Sequence, residues 1–189
     1  MPRCKKEYKN ISVFKKNSDK RNKTISRILG MKDISPSEFR YFNFLINKAT
    51  SLAELYSFNG IKTPIIESID LYKKSTRHNN DKELYKIDCE KGENGVLRPE
   101  ITQGILRAYI ENRFSELPKP IRLYSIGSIF RKERMQTGRY RESSQFNLEI
   151  IDESKPTAEV LLITAVYNFF QDLKINFQIQ INSLGKADC

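Results

Sequence analysis

Two hydrophobic periodicities alternate along the chain. Phe42, Ile46, Ala49, Ala53 and Tyr56 recur at steps of four and three, the spacing of a helix with one buried stripe. Ser35-Pro36-Ser37-Glu38 precedes them: a serine that can cap, a proline suited to the first turn, and a glutamate placed to close a capping box. Asn59-Gly60 predicts the stop. Residues 61–66 read as a strand, and Pro64 puts that strand at an edge or interface, because proline cannot donate to a ladder. Residues 73–83 are a polar loop, 84–87 a weak strand, and 92–95 a turn. A helix follows Pro99, with Leu106, Tyr109 and Ile110 on one side. Pro118 and Pro120 mark a break.

Residues 121–126 and 128–132 are strand-like, joined at Gly127, and 133–143 form a polar loop containing Gly138. From Gln145 to Ile151 the chain alternates: Phe146, Leu148 and Ile150 face one way, Gln145, Asn147 and Glu149 the other. Residues 157–173 predict a helix with Ala158, Leu162, Val166, Phe169 and Leu173 on its buried stripe. Phe177, Ile179 and Ile181 alternate as a last strand. Hairpins with flanking helices define an α+β fold, an antiparallel sheet covered by helices.

At 189 residues the chain is long enough for one domain with its own core. Its net charge of +10 is unevenly placed. Residues 1–28 hold ten Lys/Arg against Glu7 and Asp19, so the basic balance describes a tail more than a fold. Residues 1–28 are therefore read as a basic, disordered tail and 29–189 as the folded unit. A contact to polyanions such as RNA is the functional reading of the tail. A mitochondrial presequence fits less well, because those favour Arg over Lys and this tail does the reverse.

The three cysteines, Cys4, Cys89 and Cys189, form no C-x-x-C, which argues against a zinc site and a disulfide framework and for a reduced compartment. His78, the single histidine, lies in the polar run RHNND, a surface loop rather than a ligand. Histidine-based triads and H-E-x-x-H chemistry are excluded by count. No metal site is expected. No run of 18 apolar residues exists, so no membrane-spanning helix is expected.

Between the two central strands, Arg131, Glu133, Arg134, Arg139 and Arg141 crowd one short stretch. A guanidinium fork can grip a phosphate with two bonds, which lysine cannot do. At about 4 Å and an effective dielectric near 20, one charge pair is worth on the order of 4 kcal/mol before desolvation. The same stretch also reads as a solvated turn with weak surface ion pairs. Gln145 and Glu149 share a polar sheet face roughly 13 Å apart if the strand is extended, a spacing suited to the two ends of a small polar ligand. Glu100, at a helix start in LRPE, supplies a further carboxylate. No G-x-x-x-x-G-K-[ST] is present, so a Walker-type nucleotide site is not available.

These residues fall in an order: LRPE-x-T, RAY, LP-x-P-x-x-LY-x-IG, then F-R-x-E-R-x-Q-x-GRYRE-x-x-Q-F-x-x-E. That order resembles the class II aminoacyl-tRNA synthetases and, within them, the bacterial type of histidyl-tRNA synthetase. GMKDISPSE, YSFNGIKTPIIE and INSLG extend the similarity from about Ile28 to the end of the chain. The resemblance implies the class II catalytic fold and a histidine–tRNA ligase. Histidine would be activated by ATP to histidyl-adenylate and passed to tRNA-His. It implies Arg131 on the ATP α-phosphate as the catalytic residue and Glu133 at the adenine end. It implies Glu100, Thr102 and Gln145 at the histidine α-amino group, and Glu149 at the imidazole. Gln136, Arg139 and Arg141 would meet the tRNA acceptor end, and Pro64 belongs to the dimer-forming first motif. L-Histidine, ATP with Mg2+, a homodimer and a cytoplasmic location are the implied partners and setting.

The sequence departs from the family in three places. Residues 74–88 read KSTRHNNDKELYKID where relatives carry an acidic, glycine-containing loop and a K-E-M-Y-T-F-like strand. Ser143-Ser144 replaces the usual aromatic before Gln145, which predicts looser packing there. The matched order stops at INSLG, before the histidine-specific motifs, the third class II motif and the anticodon-binding domain of relatives. The 189 residues by themselves are thus expected to be the N-terminal part of the catalytic domain, weak or inactive alone. Two other readings remain. One is the synthetase-like regulatory subunit of ATP phosphoribosyltransferase in histidine biosynthesis. The other is a non-catalytic dimerisation or RNA-binding module.

Overall fold

Ser35 starts the first helix as its sequence demands. In the computed structural model, which describes residues 25–73, 83–134 and 136–182, α1 runs Pro36–Leu55. The Ser35 side chain accepts from the Glu38 amide and the Glu38 side chain accepts from the Ser35 amide, a closed capping box. The helix ends at Tyr56, followed by Ser57 at φ +60. The expected stop, Asn59-Gly60, is instead β1, paired parallel with Leu123 and Tyr124.

Residues 61–65 do not form the expected strand. Their carbonyls are diverted: Thr63 O accepts from the Arg98 guanidinium and Ile65 O from the Arg98 amide. The strand begins only at β2, Ile66–Ser68. A short α2, Ile69–Lys73, follows. The expected loop at 73–83 and His78 lie almost wholly outside the described residues, as does most of the basic tail.

Strand β3 (Tyr85–Asp88), a 3-10 turn at Glu90–Gly92 and β4 (Asn94–Leu97) complete a small antiparallel sheet of order β2-β4-β3. Its core is Ile69, Tyr72, Leu84 and Val96. The predicted turn at 92–95 is therefore shorter, because Asn94 and Gly95 join the ladder. Helix α3, Thr102–Glu111, buries Gly104, Ile105 and Ala108; of Leu106, Tyr109 and Ile110, expected on one side, Tyr109 packs against that core while Ile110 is 74% exposed.

Strands β5 (Ile121–Phe130) and β6 (Glu142–Ile151) form a ten-residue antiparallel hairpin. Gly127 does not interrupt β5, since it pairs with Gln145 in unbroken register. With β1 this makes a mixed sheet of order β1-β5-β6, so one pair is parallel where an antiparallel sheet was expected. One face is divided by strand. On β5 it carries Ile121, Leu123 and Ile129, which pack with Ile101 and Ile105 of the α3 segment. On β6 the same face carries Gln145, Asn147 and Glu149, because the register sets them opposite Gly127, Ser125 and Leu123. Each fully buried branched aliphatic side chain contributes about 1.5–3 kcal/mol. The apolar half thus fixes α3 and the polar half is left beneath its N-terminus.

The other face is covered by α1 and by α4, Thr157–Asp172. Phe146 meets Phe169 at 5.9 Å between ring centroids, and Asn168 donates to the Tyr56 hydroxyl at 2.6 Å. Ala165 is the buried position of α4, while Val166, expected inside, is 42% exposed. Ser144 borders an apolar groove of about 310 Å³ between α1 and α4. Phe177, Ile179 and Ile181 pair with no strand among the described residues; Phe177 packs on Tyr167 and Phe170 instead.

Candidate active site

The site begins with one buried cation. Arg98 is 4% exposed, and its Nε donates to Ser128 O at 2.8 Å. Nη1 donates to Thr63 O at 3.1 Å and Thr63 Oγ1 at 3.2 Å. Burial lowers its pKa below the ordinary guanidinium value, with Tyr72 and Glu67 acting the other way. The backbone of the same residue accepts from Phe130 N at 2.9 Å. Arg98 therefore ties the segment between β4 and α3 onto the end of β5. Sequence reading did not single it out; the LRPE match was the signal available.

Arg131 follows immediately after β5. Its Nε donates to Pro99 O at 2.8 Å, and Nη1 lies 3.8 Å from Glu133 Oε1. The side chain is about one-third exposed, so it is docked on the chain and not swung into solvent. Nη2 is used by neither contact. Glu133, 17% exposed, also pairs with Arg139 through Nε. The hairpin thus gathers its guanidinium groups around its own carboxylate.

Gln136 and Arg139 are exposed on a tight turn, Arg139 N donating to Gln136 O at 2.9 Å, with Gly138 at φ +78. Arg141 turns back to the start of the described chain. Its Nη1 donates to Leu29 O at 3.3 Å and its Nε to Glu133 O at 3.4 Å, while Gly30 O accepts from Arg141 N at 2.8 Å. Pro64 is exposed, outside any strand, beside Ile65 and Ile66 at 44% and 48% exposure.

The polar half of the sheet meets the start of α3. Gln145 Oε1 accepts from Ile101 N at 3.2 Å. Thr102 Oγ1 donates to Glu149 Oε1 at 2.7 Å. Asn147 Nδ2 donates to both Thr102 Oγ1 and Glu149 Oε1, each at 2.8 Å. The Glu149 carboxylate so lies near a helix N-terminus, where backbone amides favour negative charge. Glu100 lies one residue before Ile101. Its carbonyl accepts from the buried Tyr72 hydroxyl at 3.5 Å. Burial, then the charges of Glu67 and Glu100, push the Tyr72 phenol well above its ordinary pKa, so it stays a donor.

Thr102, Gln145 and Glu149 are therefore drawn together around the α3 N-terminus, with Glu100 next in the chain to Ile101, and Arg131 clasps the residue just before Glu100. Sequence reading also passed over Asn147. Its place on the polar face was legible from alternation, its partners were not. The Glu67–Arg107 pair was missed too: Arg107 Nη2 lies 2.5 Å from Glu67 Oε1 and Nη1 2.7 Å from Glu111. No group of three or more His, Cys, Asp or Glu among the described residues is placed to hold a metal ion. No helix among them is long and apolar enough to cross a membrane.

A mixed sheet carrying a long antiparallel hairpin, with a helix start poised over its polar half, is the catalytic fold of class II aminoacyl-tRNA synthetases. The structure of apo histidyl-tRNA synthetase from S. aureus superposes with a TM-score of 0.68 and 29% identity, over 78% of this chain and 34% of that one. A Bacillus halodurans protein described as an ATP phosphoribosyltransferase regulatory subunit/histidyl-tRNA synthetase shares the fold, with a TM-score of 0.66 at 23% identity over 77% of this chain and 38% of that one.

The histidyl-tRNA synthetase family model matches residues 30–185, and the chain belongs to that family. It is 40% identical over 168 residues to the chloroplastic histidine–tRNA ligase of Porphyra purpurea, 87% of this chain and 39% of that protein. It is 39% identical over 165 residues to the histidine–tRNA ligase of Dictyoglomus turgidum, 85% of this chain and 40% of that protein. The chain thus spans about two-fifths of the length of these relatives.

Proposed function

We propose that this chain builds the amino-acid and inner-phosphate side of a histidine–tRNA ligase active site. The observation that carries the reading is the joining of Thr102 and Glu149 beneath the α3 N-terminus, with Arg131 docked on Pro99 alongside. Acceptor oxygens at Glu149 and Thr102 suit the N–H groups of a histidine. Glu100 and Thr102, with Gln145 assisting, would stand at the α-amino end, and Glu149 at the imidazole.

The amino-acid carboxylate is ionised at neutral pH and attacks the ATP α-phosphate in line. A carboxyl oxygen–phosphorus bond forms, the bond to pyrophosphate breaks, and no strong general base is required. Arg131 places a fixed positive charge where the phosphoryl oxygens gain charge, so orientation and charge neutralisation carry the step. Glu133 would stand at the adenine end. Magnesium on the ATP phosphates would add to the same charge neutralisation.

In the second step a terminal ribose hydroxyl of tRNA-His forms an ester with the histidyl carbonyl, the bond to AMP breaks and AMP leaves, with Gln136, Arg139 and Arg141 toward the acceptor end. Exposed Pro64, Ile65 and Ile66 would belong to a homodimer contact, and the cytoplasm would be the compartment.

The test is calorimetric titration of the chain with histidyl-sulfamoyl-adenosine, a stable mimic of the adenylate, against its phenylalanyl counterpart. Tight binding of the first, at least about tenfold weaker binding of the second, and a loss of about tenfold or more in Arg131→Ala support the proposal. Equal binding of both mimics, or none, refutes it. Histidine binding that ignores the adenylate portion would favour a regulatory subunit.

A further inference from the structure

Three atoms close a nearly equilateral triangle beneath α3: Asn147 Nδ2, Thr102 Oγ1 and Glu149 Oε1, with sides of 2.8, 2.7 and 2.8 Å. Three sides need three hydrogens. The amide of Asn147 supplies two. An ionised carboxylate has none, so the third must come from the Thr102 hydroxyl. The reverse orientation of the amide would set its oxygen against the Glu149 oxygen, acceptor on acceptor, and is excluded by the same count. Asn147 is 8% exposed and lies in the middle of β6, opposite Ser125, so it is a fixed corner of the triangle.

The consequence is a polarity. The hydroxyl hydrogen of Thr102 is committed to Glu149, so what Thr102 offers a ligand is a lone pair. Glu149 Oε1 accepts twice, which leaves Oε2 as the oxygen the triangle does not use. Both outward-facing groups are then acceptors. Without the amide, the Thr102 hydroxyl could rotate and present a hydrogen, and the carboxylate would lose one of its two anchors.

We infer that Asn147 is a positioning residue. It fixes the hydroxyl direction of Thr102 and the carboxylate plane of Glu149, and so makes this corner of the site selective for a ligand rich in N–H donors. The ligand class rests on the proposed histidine pocket; the positioning itself does not.

The test separates the two. In the unliganded chain, the three-bond coupling between the Thr102 hydroxyl proton and its Hβ reports whether the hydroxyl rotamer is fixed. Asn147→Asp has the same shape but no donors, and Asn147→Ala removes the side chain. Retained dispersion of the Ile101 and Ile105 methyls shows that each variant folds. A single Thr102 hydroxyl rotamer in the wild-type chain that becomes averaged in Asn147→Asp supports the inference. An unchanged Thr102 hydroxyl rotamer in that variant overturns it, whatever the chain binds.

Binding of histidyl-sulfamoyl-adenosine is the second arm. Asn147→Asp should weaken it about tenfold. In a Glu149→Gln background the same substitution should change it less than about twofold, because Asn147 acts through Glu149. Full additivity of the two substitutions overturns the inference. Should the rotamer respond as expected while the wild-type chain binds no mimic, the positioning role stands and the histidine reading falls.

Discussion

The Arg98 guanidinium lies so close over Gly127 that a Cβ at position 127 would sit 2.2 Å from Nη2. Glycine is required there for room, since its backbone is ordinary β-strand. Gly127→Ala should push Arg98 off Ser128 O and Thr63 and lower stability by about 1–3 kcal/mol, as overpacking of a filled interior does. Urea denaturation followed by far-UV circular dichroism measures it; a midpoint equal to wild type would contradict the geometry.

Glu67 and Arg107 join β2 to α3 through a largely buried pair. Glu67→Ala leaves Arg107 with Glu111 alone and should cost about 1.5–3 kcal/mol, the range for hydrogen bonds to charged groups. Glu111→Ala, which removes the exposed partner, should cost less than about 1 kcal/mol. Equal losses would show that burial does not separate the two contacts. Denaturant midpoints at constant slope decide it.

The Glu38 carboxyl is held down to about 2 from its ordinary 4.5, first by the bond from Lys32 and then by those from the Ser35 amide and hydroxyl. Its folded pKa is depressed, so its contribution is complete above pH 4.5 and is lost as pH falls toward 2. A carbon-13 titration of the Glu38 carboxyl should show that low midpoint. Glu38→Gln should flatten the part of the acid-stability curve between pH 4.5 and 2.

Arg131→Lys keeps the charge but removes both the Nε donor to Pro99 O and the planar fork. The expected result is a loss of about tenfold or more in affinity for histidyl-sulfamoyl-adenosine with a fall in stability near 1 kcal/mol. Calorimetric titration and thermal melting read the two quantities separately. Unchanged affinity would remove Arg131 from the phosphate side of the site.

Much of the fold was legible where the signal is local. Ser35 and Glu38 announce their capping box within four residues, and the alternation from Gln145 to Ile151 places the polar face correctly. What failed was set by distant partners. Residues 61–65 have strand composition, yet the Thr63 and Ile65 carbonyls are taken by Arg98, 33 to 35 positions away. The packed face of α3 was read only in part: Tyr109 meets the core, but Gly104 and Ala108 carry little hydrophobic weight and were not expected inside. They are inside because smallness is needed: a Cβ at Gly104 would lie 2.9 Å from Thr63 Oγ1.

The candidate site divides the same way. Arg131, Glu100 and Glu149 stood out by charge and order, while Asn147 did not, because periodicity assigns a face and says nothing of who donates to whom.

Arg98 also has a mechanical meaning. Its head is anchored at Thr63, next to Pro64, and at Ser128, three residues ahead of Arg131. A single rigid strut therefore connects the exposed proline-bearing surface to the root of the strand that ends at the docked guanidinium. Pressure on that surface has a continuous bonded route inward, through one side chain, to the arm that carries the positive charge.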